Sequence, residues 1–128
     1  RAHCISAAKQ CGLNRLPELS GPLELEKFLC GDLVRRPQAV RLLGDASPSA
    51  ADVREVLSPG CGVEDTILLI GPEGGLTGEE AQACHRAGFV SARMGTTTLR
   101  IETAAVALLA AVRACVPPRA ESPPAGRS

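Results

Sequence analysis

The stretch Thr66-Ile67-Leu68-Leu69-Ile70-Gly71-Pro72-Glu73-Gly74-Gly75-Leu76-Thr77-Gly78-Glu79-Glu80 decides the fold class. Its first five residues are apolar or β-branched without a break, the pattern of a strand buried in a parallel sheet. A glycine-rich loop then ends the strand. Thr77 stands three residues before Glu80, so each side chain is placed to satisfy the other's backbone N–H in a capping box. That spacing predicts a helix over 78–87, closed by Gly88. Residues 89–94 read as a second strand and 95–98 as a loop. A final apolar helix is expected over 102–115, stopped by Pro117-Pro118.

Working toward the N-terminus, Pro59-Gly60-Cys61-Gly62 reads as a turn and 49–57 as a weak helix opened by Ser47-Pro48-Ser49. Residues 39–43 form a short strand ending at Gly44-Asp45. Residues 23–30 read as a short helix with Leu25, Phe28 and Leu29 inward, and 14–22 as extended chain broken by two prolines. Residues 1–13 look helical, with Ile5, Ala8 and Gly12 on one face and Gly12 ending the turn. Strands alternating with helices predict an α/β domain with a mostly parallel sheet. Ligands bind such sheets beyond the carboxyl ends of the strands. The loops 71–75 and 95–100 both lie at such ends.

Composition narrows the function classes. The 128 residues hold 14 basic and 14 acidic side chains and only two aromatics, Phe28 and Phe89. A neutral chain is no stand-alone polycationic nucleic-acid binder, and two Phe cannot build a base-stacking platform. The neutrality hides segregation: residues 1–44 carry a net +3, 45–80 a net −7 and 81–128 a net +4. The six cysteines form no Cys-x-x-Cys pair, which argues against zinc and for reduced, mostly buried thiols. Cys84 and His85 are adjacent, but helical neighbours point about 100° apart, so Cys84 reads as core and His85 as surface. The longest apolar run, about ten residues from Thr103 to Val112, is half of what a bilayer span needs, so no membrane is expected. The chain opens at Arg1 inside helix-like sequence, which predicts a longer parent protein. The reading is one domain over 1–116 with a Pro- and Ala-rich disordered tail over 117–128.

Two loops carry the chemistry. Gly71-Pro72-Glu73-Gly74-Gly75 resembles a phosphate cradle, yet it lacks the lysine of a P-loop, and no lysine follows Lys27. Glu73, Glu79 and Glu80 would repel phosphate. An acidic, glycine-lined pocket suits a ligand with positive charge, such as a sulfonium; a plain strand-to-helix turn is the competing reading. The second loop, Met94-Gly95-Thr96-Thr97-Thr98-Leu99-Arg100-Ile101-Glu102-Thr103, crowds hydroxyls, one cation and one acid between apolar elements. Arg100 and Glu102 form either a structural ion pair or a catalytic one.

Ile70-Gly71-Pro72-Glu73-Gly74-Gly75-Leu76-Thr77, followed by Gly95, Leu99-Arg100 and Glu102-Thr103-Ala104, resembles the ribosomal RNA small subunit methyltransferase E family of the knotted SPOUT methyltransferases. Gln10-Cys11-Gly12, Asn14-Arg15 and Pro17-Glu18 match the family's earlier block. The match spans roughly residues 4–115, weaker between about 20 and 65. The family pattern more often has Arg where Leu13 and Thr97 stand here.

The resemblance implies a homodimeric enzyme with a deep C-terminal trefoil knot, truncated here at its N-terminus; the alternative is a non-catalytic knotted fragment that binds cofactor or dimerises without methylating RNA. It implies S-adenosylmethionine as methyl donor, N3 of a uridine in small-subunit rRNA as target, and the rRNA or the assembled small subunit as partner, with no metal. By motif the cofactor falls to Ile70, Gly71 and Gly75 in the first loop and to Met94, Gly95, Thr98 and Leu99 in the second. Leu43 and Gly44 make a third wall. Arg100 is the expected catalytic cation, with Glu73 or Glu102 orienting it or relaying a proton, and Arg15 is the expected RNA contact. Cytoplasm is the default compartment, with an organellar ribosome as the alternative.

Overall fold

The computed structural model describes residues 2–12, 16–57 and 65–115. The elements run α1 (Ala2–Gln10), α2 (Leu25–Leu29), β1 (Ala39–Gly44), β2 (Ala51–Asp52), α3 (Val53–Val56), β3 (Asp65–Ile70), α4 (Gly78–Arg86), β4 (Val90–Arg93) and α5 (Ile101–Cys115). The strands form one sheet in the order β2-β4-β1-β3. Every pairing in it is parallel, as the alternation of strands and helices predicts.

The side-chain period of a strand explains the layers. Leu42 of β1 enters a core with Val53, Leu57, Leu108 and Val112, so α3 and α5 cover that face. The next residue, Leu43, enters the opposite core with Val34, Cys84 and Phe89, beneath α2 and α4. In β3, Leu68 and Ile70 pack on the first core, Ile67 and Leu69 on the second. Leu42, Leu57 and Cys84 are fully buried; each such Leu contributes about 1.5–3 kcal/mol of transfer free energy. Burial raises the Cys84 thiol pKa, and the Glu80 carboxylate adds to the rise.

Three expectations shift. Residues 66–70, read as a strand buried in the sheet, lie at the edge of the described sheet and are all half-buried, because β1 pairs them on one side only. The expected helix over 49–57 divides into β2 and a single turn of helix. Asp52 caps α3 by accepting from the Arg54 N–H, and the side chains of the two residues form an ion pair that holds the Asp52 carboxyl well below its ordinary range. On α1 only Ala8 is buried, while Ile5 and Gly12 are exposed. Residues 59–62 and the tail 117–128 lie outside the described residues.

The capping box forms as read. Thr77 Oγ1 accepts from the Glu80 N–H at 3.2 Å and Glu80 Oε2 accepts from the Thr77 N–H at 2.8 Å. It starts α4 directly after the 71–75 loop, fixing where that loop must end.

Candidate functional site

The carboxyl ends of β1, β3 and β4 open onto one cleft of about 180 Å3. Gly44, Asp45 and Ala46 after β1 form one wall. Ile70, Gly71, Pro72 and Glu73 form a second, and Arg93, Met94, Gly95, Thr97, Thr98 and Leu99 a third. Ala92, Ile101, Ala104 and Leu108 make the floor apolar. The rim is thus loop backbone and small side chains over a greasy base, the composition of a small-molecule site.

Backbone geometry shapes the two glycine loops. Gly75 has φ +74° and Gly95 φ +72°, in the left-handed region where L side chains are strained. The Gly75 N–H donates to the Pro72 carbonyl at 2.8 Å, closing the first loop, and the positive φ of Gly75 turns the chain onward to Leu76. At Gly95 it turns the chain out of β4 into the second loop.

Side chains from outside the two motifs also hold the cleft. The Arg93 guanidinium donates to the Ala50 carbonyl at 3.0 Å through Nε and to the Gly95 carbonyl at 3.1 Å through Nη1. The Asp45 N–H donates to the Ala92 carbonyl at 3.0 Å, prolonging the β1–β4 pairing. Asp45 Oδ1 accepts from the Ser47 N–H at 2.8 Å. Burial acts to raise the Asp45 pKa, but the Ser47 backbone and side chain, the Ser91 side chain and the nearby His85 together lower it. His85, exposed as expected, has Nε2 3.0 Å from Ser91 Oγ.

Of the residues singled out in the sequence, Ile70, Gly71, Glu73, Met94, Gly95, Thr98 and Leu99 line this one cleft, although 18 residues separate the two loops. Leu43 does not: its side chain is in the opposite core, and the wall at that strand end is Gly44 with Asp45 and Ala46. Gly75 closes the first loop without lining the cleft. Arg100 and Glu102 lie at the start of α5, exposed and outside the lining, and among the described residues their charged groups form no ion pair with each other. Arg15 lies outside the described residues. Sequence reasoning missed Asp45, Arg93 and the α5 floor residues. An Asp following a strand glycine was the single local signal; Arg93 carried none, since its partner Ala50 is 43 residues away.

Residues 1–113 match the model of the RNA methyltransferase domain family. The ribosomal RNA small subunit methyltransferase E of Mycobacterium bovis is 34% identical over 112 residues, which are 88% of this chain and 42% of that protein. That of Mesomycoplasma hyopneumoniae is 31% identical over 108 residues, 83% of this chain and 43% of that protein. A methyltransferase of Legionella pneumophila, solved with bound cofactor SAM, superposes with TM-score 0.69 at 33% identity, over 88% of this chain and 43% of its own. The Neisseria gonorrhoeae ribosomal RNA small subunit methyltransferase E, solved bound to S-adenosyl methionine, gives 0.66 at 27% identity, over 85% and 41%. This chain therefore spans less than half the length of these relatives. The chain belongs to the RNA methyltransferase domain family, with ribosomal RNA small subunit methyltransferase E proteins among its relatives.

Proposed function

We propose that this chain carries the cofactor site of an S-adenosylmethionine-dependent methyltransferase that modifies N3 of a uridine in small-subunit rRNA. The observation that carries the reading is the meeting of the two motif loops on one cleft at the strand ends. The site fits the cofactor's chemistry. Gly44 brings bare backbone to the cleft wall, loop backbone offers donors and acceptors, and Glu73 and Asp45 supply negative charge for a sulfonium. When bound, the cofactor supplies an electrophilic methyl group on a sulfonium.

The protein's own residues then have defined tasks. Uridine N3 is a weak acid that must lose its proton before it can act as a nucleophile. The Arg100 guanidinium, exposed at the start of α5, stabilises the N3 anion electrostatically. Glu73, on the cleft wall, or Glu102, near Arg100, accepts the proton or passes it to solvent. Ile70, Gly71, Met94, Gly95, Thr98 and Leu99 hold the cofactor, and Gly75 keeps the first loop closed. Leu43 anchors the third wall from the opposite core, and Arg15 contacts RNA.

The finer architecture follows the same reading. β4 is inserted between β1 and β2, strands consecutive in the chain, an arrangement that supports a C-terminal trefoil knot. α5 exposes Val106 and Leu109 at 69% and 56%, with Glu102 toward one end and Arg113 toward the other. An antiparallel second copy covers that apolar stripe with Glu102 of one chain facing Arg113 of the other, which supports a homodimer. The partner is small-subunit rRNA or the assembled subunit, and the compartment is the cytoplasm.

The test is methyl transfer to unmethylated small ribosomal subunits, read by nucleoside mass spectrometry. N3-methyluridine is expected with the wild type and lost by about a hundredfold or more in Arg100→Ala, with cofactor affinity retained. Unchanged turnover in Arg100→Ala removes that residue from its role, and a methylated product other than N3-methyluridine overturns the assigned target.

A further inference from the structure

We infer that Arg93 is a positioning residue for the ligand cleft, acting as a brace between two of its walls rather than as a contact to the ligand; the inference rests on the cofactor reading above. Arg93 is the last residue of β4, half-buried and registered against Asp52 of β2. Its guanidinium donates at the same time to the carbonyls of Ala50 and Gly95. Ala50 closes the connection from β1 to β2, through its N–H to the Ser47 carbonyl at 3.1 Å. Gly95 opens the connection from β4 to α5. These two connections supply Asp45 and Ala46 on one side of the cleft and Gly95, Thr97 and Thr98 on another. One rigid planar cation thus joins two loops at points just beyond the paired residues of β2 and β4.

The chemistry of the group suits this task. Hydrogen bonds from a cation to a carbonyl are stronger than neutral ones. The guanidinium fork is planar and reaches two acceptors in fixed geometry, which a lysine ammonium on a flexible stem cannot reproduce. Peptide planarity gives a second consequence. With the Gly95 carbonyl turned to Arg93, the Thr96 N–H in the same peptide plane points the opposite way. The brace therefore sets the direction of a backbone donor in the loop as well as the spacing of the walls. Without it the free protein samples other loop arrangements, and apparent affinity falls by the fraction of time the competent one is lost.

Calorimetric titration of the 128-residue chain tests this with two probes, S-adenosylmethionine and 5′-methylthioadenosine, which lacks the amino-acid part. Arg93→Ala is expected to weaken both by a similar factor, about tenfold or more, and Arg93→Lys to recover part of the loss. A thermal melt followed by circular dichroism shows whether Arg93→Ala is folded. If it is not, Arg93→Lys decides, with an equal weakening of about threefold or more for both probes. Affinity within about twofold of wild type in the folded variant overturns the brace. So does a loss confined to S-adenosylmethionine, which would make Arg93 a direct contact for the ligand carboxylate. A wild-type chain that binds neither probe overturns the cofactor reading itself, a result distinct from either.

Discussion

Gly44 and Ile70 are partners in the parallel β1–β3 register, and a Cβ on Gly44 would stand 2.7 Å from Ile70 Cδ1. The same Cβ would be 3.1 Å from Leu108 Cδ1 of α5. All three residues line the cleft, so the absence of a side chain at Gly44 lets strand and helix close together there.

Gly44→Ala therefore forces Ile70 and Leu108 to move. Both are terminal methyls that can swing aside, so the expected cost in urea unfolding is about 1 kcal/mol, the low end for overpacking. Cofactor affinity is expected to fall with it, because the added methyl enters the cleft wall. A variant as stable as wild type with unchanged affinity would show that the two side chains give way freely.

Asp45 makes a pH prediction. Burial works to raise its pKa, but hydrogen bonds from Ser47 and Ser91 and the charge of His85 leave it below the ordinary 3.8. A carboxyl depressed on folding stabilises the native state above its unfolded pKa, and that stability is lost as pH falls through the folded pKa. Melting temperatures of wild type and Asp45→Asn are thus expected to differ above about pH 4 and to converge below it. Parallel curves across that range would contradict the assignment.

The capping box is separable from the site. Thr77→Ala removes the acceptor for the Glu80 N–H and is expected to cost about 1 kcal/mol, with Thr77→Ser close to wild type. Chemical denaturation measures both. Equal stability of Thr77→Ala and wild type would show that water satisfies the helix end equally well.

These residues also show what could be read in the sequence. The strand at Thr66–Ile70 and the Thr77/Glu80 cap depend on neighbours in the chain, so composition and spacing expose them. β2 is two residues long, Ala51–Asp52, and exists because β4 pairs with it; no local pattern marks it. Leu43 and Gly44 illustrate a different limit. The strand is covered on both faces, so Leu42 and Leu43 are apolar alike and the sequence does not tell which neighbour faces the cleft. Arg93 and Asp45 join the site through contacts that only the assembled sheet creates. The glycine loops were legible because their residue types are demanded locally, by turns and by a ligand's close approach to backbone.

Amide chemical-shift mapping of the isotopically labelled chain with S-adenosylmethionine tests the central claim most directly. The account predicts saturable shifts concentrated at Gly44, Gly71, Gly95, Thr98 and Leu99, with Gly31 and Gly88, neither of which lines the cleft, unmoved. Saturating shifts centred instead on the apolar groove of Leu23, Phe28 and Leu76, or no shifts at any attainable concentration, would contradict it.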